Sequence, residues 1–452
     1  MQTPDVHYAR SGDVAIAYQV VERRGASEPA TDIVFVRGLS SDLLSTWEQP
    51  LLVQHIERLA SNGRVLLLDR RGTGLSDRVR EVQSLETTMD DIRAVMDAAG
   101  SDRAVLWTGL QSTGVGVLFA ATYPERCPGL MLLDPQVRGT RTDDYPWAPD
   151  EDEWRNRLRA IRSGWGERDF MVALAREWMP SRADDPDFVD WFVGHMRRSL
   201  SPGAALTAYR MTMEVDVTDV LAAVRVPTLV MPRPPERERA RWVAERIRGA
   251  RFVDLPPFDD VFVWARDEAH DAIQEAFAEF IRDLRSPPTP TRTLATILFT
   301  DIVGSTEMAA RFGDDAWRVL LVRHHALVRR ELARYQGVEL DTAGDGFFAT
   351  FDGPARAVQA AVAIRAALRE IGVDIRSGVH TGECELHEGK VAGIAVSIGA
   401  RIAGLADPGE VLVSSTVRDL VAGSGLQFEE RGSRELKGVP GSWGIFAVAG
   451  AA

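Results

Sequence analysis

Two aspartates define the chemistry open to this sequence. Asp301 ends an apolar, β-branched run, Ile297-Leu298-Phe299, and is followed by the small-residue turn Gly304-Ser305-Thr306 and then a helical pattern. A strand that delivers a carboxylate beside a tight turn can hold a divalent cation and offer backbone N–H groups to phosphate. Asp345 lies in Ala343-Gly344-Asp345-Gly346, between two strand-like runs that read as a hairpin with an acid at its tip. Set side by side, the two strands bring both acids to one edge, where paired carboxylates bind paired Mg²⁺ ions.

The motifs around these acids, in order, are FTDIVGST, GDGFFATF, IRSGVHTGE and GIAVSIGARIAGLA. Together they resemble the class III nucleotidyl cyclase domain over about Thr293 to Val448. GDG alone is a weak signal; four motifs in order are specific. The resemblance implies an α+β, ferredoxin-like domain that converts a nucleoside triphosphate to a 3′,5′-cyclic nucleotide and pyrophosphate. It implies two Mg²⁺ or Mn²⁺ ions per active site, held by Asp301 and Asp345 with the Ile302 carbonyl as a further ligand. Arg401 matches the arginine that stabilises charge on the α-phosphate. Ser397, four residues earlier on the same helix face, replaces an asparagine that orients the ribose. A hydroxyl is shorter and lacks the amide's two donors, so slower turnover is expected. Arg376, in IRSGVHTG, and Lys437, in ELKGVPG, match positions that contact the triphosphate.

The base-reading pair departs from the family. Adenylyl members place a lysine four residues before the second metal acid and an aspartate three residues before the glycine of GIAV. Here those positions hold Asp341 and Lys390, with the charges exchanged. Such a pair complements a ring N–H beside a carbonyl, as in guanine and uracil. The two can also pair with one another and leave the base unread. ATP stays first by family default, with GTP or UTP as the alternative. In this family the metal acids come from one chain and the base-reading and arginine residues from another. One chain that carries a full set implies a homodimer with two symmetric sites. A competing expectation is a degenerate nucleotide-binding regulatory module.

The elements before this region alternate strand and helix signals, which implies a mostly parallel sheet covered on both faces. DRRGTGLSD (Asp69 to Asp77) and FAATYPERC (Phe119 to Cys127) resemble the α/β-hydrolase fold. The expected fold class is therefore α/β, an α/β-hydrolase fold with a helical cap at about 140–218, followed by the cyclase domain. Residues 1–284, a proline-rich linker at 285–292 and residues 293–450 are the expected segments. A hydrolase needs a nucleophile on a strained strand-to-helix turn, a late acid and a later histidine. Counting from Gly109 puts Gln111 at the nucleophile position; a shift of one puts Ser112 there. Asp260 stands where the family has its histidine, and Arg233-Pro234-Pro235-Glu236 alters the acid region. His270, in a helical pattern, reads as a surface or packing residue. Without a general base a serine is a poor nucleophile. The expectation is a fold kept without its chemistry, its tryptophan-rich cavity holding a small apolar ligand and regulating the second domain. An esterase with a nucleotide-regulated domain is the weakest of the competing expectations.

The 452 residues exceed one ordinary core, and the formal net charge of −13 argues against nucleic acid or an anionic membrane as partner. Cys127 and Cys384 fall in different expected domains, which argues against a disulfide framework. The N-terminus shows no apolar signal region, and no run of about 18 apolar residues appears. A cytoplasmic location is expected.

Overall fold

A computed structural model of the chain describes residues 3–22, 31–79, 84–258, 260–261, 268–284, 292–387 and 390–451. The chain divides into two compact units, Met1–Pro290 and Thr291–Ala452. All of the expected linker except Arg292 lies outside the described residues.

The first unit is built on eight strands: β1 (His7–Ser11), β2 (Val14–Val21), β3 (Asp32–Phe35), β4 (Val65–Leu68), β5 (Ala104–Leu110), β6 (Leu130–Pro135), β7 (Thr228–Met231) and β8 (Arg251–Phe252). Their order is β1-β2-β4-β3-β5-β6-β7-β8. The pairs among β4, β3, β5, β6, β7 and β8 are parallel, while β1 and β2 add an antiparallel edge. Central strands such as Val65–Leu68 and Leu130–Leu133 are buried on both faces, which is why they read as unbroken apolar runs. Between β6 and β7 lie four helices, Glu151–Gly164, Arg168–Trp178, Pro186–Ser199 and Pro202–Glu214. The first opens on a reciprocal capping box between Asp150 and Glu153. These helices pack through Trp154, Trp165, Phe188 and Phe192 into the same core as β5 and the helix Glu268–Asp283.

The second unit holds β9 (Arg292–Ile302), β10 (Val338–Ala343), β11 (Gly346–Phe351), β12 (Ile375–His387), β13 (Lys390–Ala392), β14 (Val411–Ser414), β15 (Leu426–Glu435) and β16 (Ser442–Ala451). The order is β10-β11-β9-β12-β14-β16-β15, with β13 paired to β12. β9 is central, antiparallel to both β11 and β12. Alternation along β9 splits its side chains between two layers. Leu298 and Ile302 join a core with the helices Asp314–Arg334 and Pro354–Arg369, whereas Ile297 and Phe299 face Ala395 and Val396 of the helix Ile394–Leu405. That helix sits so close to the sheet that a Cβ on Gly378 would lie 2.2 Å from the Ala403 backbone nitrogen. Glycine is required there because any side chain would push the helix off β12.

Candidate active site

β9 and β11 bring the two aspartates together. Their register pairs Thr300 with Phe347. One residue further along, Asp301 stands opposite Gly346, adjacent to Asp345 in the turn between β10 and β11; paired strands are about 4.8 Å apart. Asp301 alternates with Leu298, Thr300 and Ile302, so it projects on the Ile297/Phe299 face. His325, on the helix Asp314–Arg334, fixes the turn with its Nε2 3.0 Å from the Gly344 carbonyl.

The two carboxylates differ in how far they are already satisfied. Arg376, directly across from Asp301 on β12, donates from Nε and Nη2 to Asp301 Oδ2 at 2.9 and 2.5 Å. Both side chains are about 40% exposed, so this pair is worth little to stability. Arg376 thus rests on Asp301, a contact that sequence reading missed. Asp345 Oδ2 is buried with no hydrogen-bond partner, as is the nearby Thr300 Oγ1. A buried carboxylate oxygen left unpaired is costly, and a divalent cation is the partner that fits it. Among the described residues no group of three or more His, Cys, Asp or Glu forms a metal cluster, so these two acids are the candidate side-chain donors.

Beyond Ile302, Gly304 takes φ +67°, a left-handed conformation suited to glycine, and caps the helix Ser305–Phe312. No side chain caps that end, so the first-turn N–H groups, at Ser305 and Thr306, have no side-chain acceptor. Ser397 and Arg401 are exposed on Ile394–Leu405, whereas Ala395, Ile398 and Ile402 are buried. Arg401 Nε donates to the Lys437 carbonyl at 3.2 Å, which ties Lys437 to the same exposed patch. Asp341 is exposed on β10, and its Oδ1 accepts from the Thr342 N–H at 2.8 Å. Lys390 begins β13, its backbone paired with His387; its side chain lies outside the description. Six of the eight exposed large hydrophobics among the described residues belong to this unit, including Val319, Val322 and Ile394.

In the first unit the structure corrects the nucleophile position. The strained residue at the end of β5 is neither Gln111 nor Ser112 but Leu110, with φ +50°. A left-handed residue at the strand end thrusts its side chain outward, and Leu110 lines a cavity of about 490 Å³. Ser112 is turned inward: its Oγ is 2.8 Å from the Val36 and Gly109 carbonyls and accepts from the Gly109 N–H at 3.0 Å. Gln111 lines the cavity but carries an amide. Buried Asp260 accepts from the Ser181 N–H at 3.0 Å and from the Ser181 hydroxyl, and does not line the cavity. His270 is buried in the helix Glu268–Asp283, its Nε2 3.1 Å from His55 Nδ1. The cavity wall includes Trp107, Trp147, Trp154, Trp178 and Trp191, but also the buried arginines Arg37 and Arg239. The cavity is tryptophan-lined as expected, but its wall is charged as well as apolar. Those arginines are scattered in sequence, and only the fold reveals them.

Residues 289–450 match the family described as adenylate and guanylate cyclase catalytic domain, and residues 33–175 match the alpha/beta hydrolase fold. The chain is thus similar to the α/β-hydrolase fold in its first unit and to the adenylate and guanylate cyclase catalytic domain in its second. An adenylate cyclase of Lachancea kluyveri is 29% identical over 167 residues, 30% of this chain and 9% of that protein. The AB hydrolase superfamily protein YisY of Bacillus subtilis is 25% identical over 225 residues, 48% of this chain and 81% of that protein. A hydrolase structure from Pseudomonas aeruginosa PA01 overlays on 61% of this chain and 98% of its own at 20% identity and TM-score 0.50, a likeness of fold. This chain spans only 27%, 16% and 9% of the length of the first three curated relatives it matches. Among the described residues no helix is long and apolar enough to cross a membrane.

Proposed function

We propose that the second unit is a nucleotidyl cyclase that converts ATP to 3′,5′-cyclic AMP and pyrophosphate at sites shared between two copies of the chain. The observation that carries this reading is Asp345, its Oδ2 buried and unpaired, one strand away from Asp301 at the mouth of a helix with no side-chain cap. Two Mg²⁺ or Mn²⁺ ions held by these acids would acidify the ribose 3′-hydroxyl and neutralise the triphosphate. The N–H groups of Ser305 and Thr306 hold the phosphates. For Arg376 to reach the triphosphate it must leave Asp301, and a cation bound there removes its reason to stay.

The two-copy arrangement follows the family resemblance, in which the metal acids and the arginine come from different chains, and Ser397 and Arg401 are exposed on one face of Ile394–Leu405. A partner's Asp301 and Asp345 can meet that face, with the exposed Val319, Val322 and Ile394 buried between copies. The experiment is product analysis by mass with all four triphosphates and Mn²⁺. Cyclic AMP is expected; no cyclic product from any triphosphate would overturn the reading. The exchanged Asp341 and Lys390 support a second reading, GTP or UTP as substrate, in which cyclic GMP or cyclic UMP leads the products.

The first unit is a non-hydrolytic regulatory unit in this proposal. Leu110 has no nucleophilic atom, and Ser112 and Asp260 spend their polar atoms inside the fold. Full-length protein should not turn over p-nitrophenyl esters above a heat-denatured control. Saturable turnover would refute this part alone.

A further inference from the structure

We propose that His325 is a positioning residue for the second metal carboxylate: it holds the peptide that carries Asp345 and so sets how tightly the site binds a divalent cation. The inference rests on the cyclase reading above, in which Asp345 is a metal ligand.

Gly344 and Asp345 are the two loop residues of the hairpin, since Ala343 pairs with Gly346 across it. β10 is the edge strand of its sheet, so within the sheet β11 alone restrains it. Gly344 has φ +66°, and glycine accepts either orientation of the peptide plane that follows. That plane runs from the Gly344 carbonyl to the Asp345 nitrogen. Rotating it changes the backbone at Asp345 and swings the carboxylate. A peptide free to flip spends part of its time with that carboxylate misdirected, and metal affinity falls by the same fraction.

His325 supplies the hold. Its Nε2 lies 3.0 Å from the Gly344 oxygen. A carbonyl only accepts, so Nε2 carries the proton and donates. The ring is itself fixed, edge-on to Phe347 with centroids 5.2 Å apart and planes at 85°. Four residues on, on the same helix face, Arg329 donates from Nε and Nη2 to Glu339 at 2.7 and 2.8 Å. Glu339 Oε1 also accepts from the Thr342 hydroxyl at 2.6 Å. The helix Asp314–Arg334 thus grips the hairpin at two points. Arg329 holds the body of β10, and His325 holds the turn.

The test is Mn²⁺ binding to the full chain, followed by the EPR signal of free Mn²⁺, beside the Mn²⁺ dependence of cyclic nucleotide formation. His325→Phe keeps an aromatic edge against Phe347 but has no donor, whereas His325→Gln keeps a donor and loses the ring. H325F should bind Mn²⁺ about tenfold more weakly, the scale of losing a group that orients a metal ligand. Its half-saturating Mn²⁺ concentration should rise alike, while the rate at saturating Mn²⁺ stays within about threefold. H325Q should bind within about threefold of the unaltered chain, and so should Arg329→Ala, which loosens the hairpin away from the turn. Unchanged affinity in H325F, a loss in H325Q as large as in H325F, or an equal loss in R329A would overturn the proposal. His325→Leu, also without a donor, answers the same question where H325F does not fold. Asp345→Ala separates this proposal from the cyclase reading. If D345A abolishes Mn²⁺ binding while H325F leaves it intact, the metal site stands and the positioning role falls. Unchanged binding in D345A, or no saturable binding to the unaltered chain, removes the metal reading and this proposal with it.

Discussion

Each unit ends a central strand in a turn with one left-handed residue and starts a helix behind it. In the first, β5 ends at Leu110, φ +50°, before the helix Thr113–Thr122; in the second, β9 ends at Ile302, with Gly304, φ +67°, before Ser305–Phe312. The geometry is alike and the chemistry is opposite. At the first turn the exposed position is a leucine, and the neighbouring hydroxyl of Ser112 is consumed by two backbone carbonyls. At the second, Asp345 keeps a buried oxygen unspent, and Asp301 is held only by a half-exposed arginine. A strand-end turn supplies a place for chemistry; whether chemistry is there depends on which polar atoms the fold has left unsatisfied.

The contrast predicts where substitutions hurt most. Asp345→Ala removes the unspent oxygen and should lower cyclic nucleotide formation by about a thousandfold, the scale of losing a metal carboxylate, with little change in melting temperature. A loss below about threefold in a Mn²⁺-supplemented assay would sink the metal-ligand role. Arg401→Ala should cost about a hundredfold or more by removing charge stabilisation at the α-phosphate. Mixing Asp301→Ala with Arg401→Ala chains should restore roughly one quarter of the unaltered rate, since random pairing makes half the dimers mixed, each with one intact site of two. No recovery, with pairing verified by a tag pull-down, would mean that each chain works alone.

Much of the second turn was legible in the sequence, because its signals are local. The β-branched run, the acid and the small residues of β9 are contiguous, and the hairpin around Asp345 announces itself by Gly344 and Gly346. What the sequence could not reveal was Arg376 lying on Asp301, since that contact joins residues 75 apart through strand register. The first turn misled for a related reason. Gly109 and Ser112 imitate a nucleophile motif, but backbone conformation, not spacing, decides which side chain points out. Similarly, β1 (His7–Ser11) was missed: its alternation of exposed and buried residues is short, and it exists because β2 offers it an edge. The placing of Arg37 and Arg239 was invisible because only the folded sheet brings residues 37 and 239 to one cavity.

A smaller effect is expected at the exchanged pair. Asp341 is exposed on β10, and replacing it gives up its bond from the Thr342 N–H. The double change Asp341→Lys with Lys390→Asp restores the family's order and should shift the kcat/KM ratio of ATP to GTP by about tenfold toward ATP, the scale of one well-placed polar contact. An unchanged ratio would mean that neither residue reads the base.

The smallest effect concerns stability, and it sharpens what buried polar atoms do when they are satisfied rather than reserved. His380, on β12, is 3% exposed, with Nδ1 2.8 Å from Ser414 Oγ. Burial pushes its pKa down to about 3, far below the 6.5 of a free imidazole. The folded state thus holds His380 neutral at a pH where the unfolded chain would protonate it. Stability is therefore undiminished above about pH 6.5 and falls as pH drops from there toward 3, because the unfolded state binds the extra proton. Each such histidine contributes a slope of at most about 1.4 kcal/mol per pH unit. His380→Asn keeps a polar contact for Ser414 but cannot titrate. The variant should start less stable at pH 7, yet its urea midpoint should fall less between pH 6 and pH 5 than that of the unaltered chain. His324, lowered to about 4 by burial, keeps part of the acid sensitivity in the same unit, so the slope should shrink without vanishing. Parallel midpoints across that range would show that His380 is protonated in the folded state, and that its contact with Ser414 does not depend on a neutral ring.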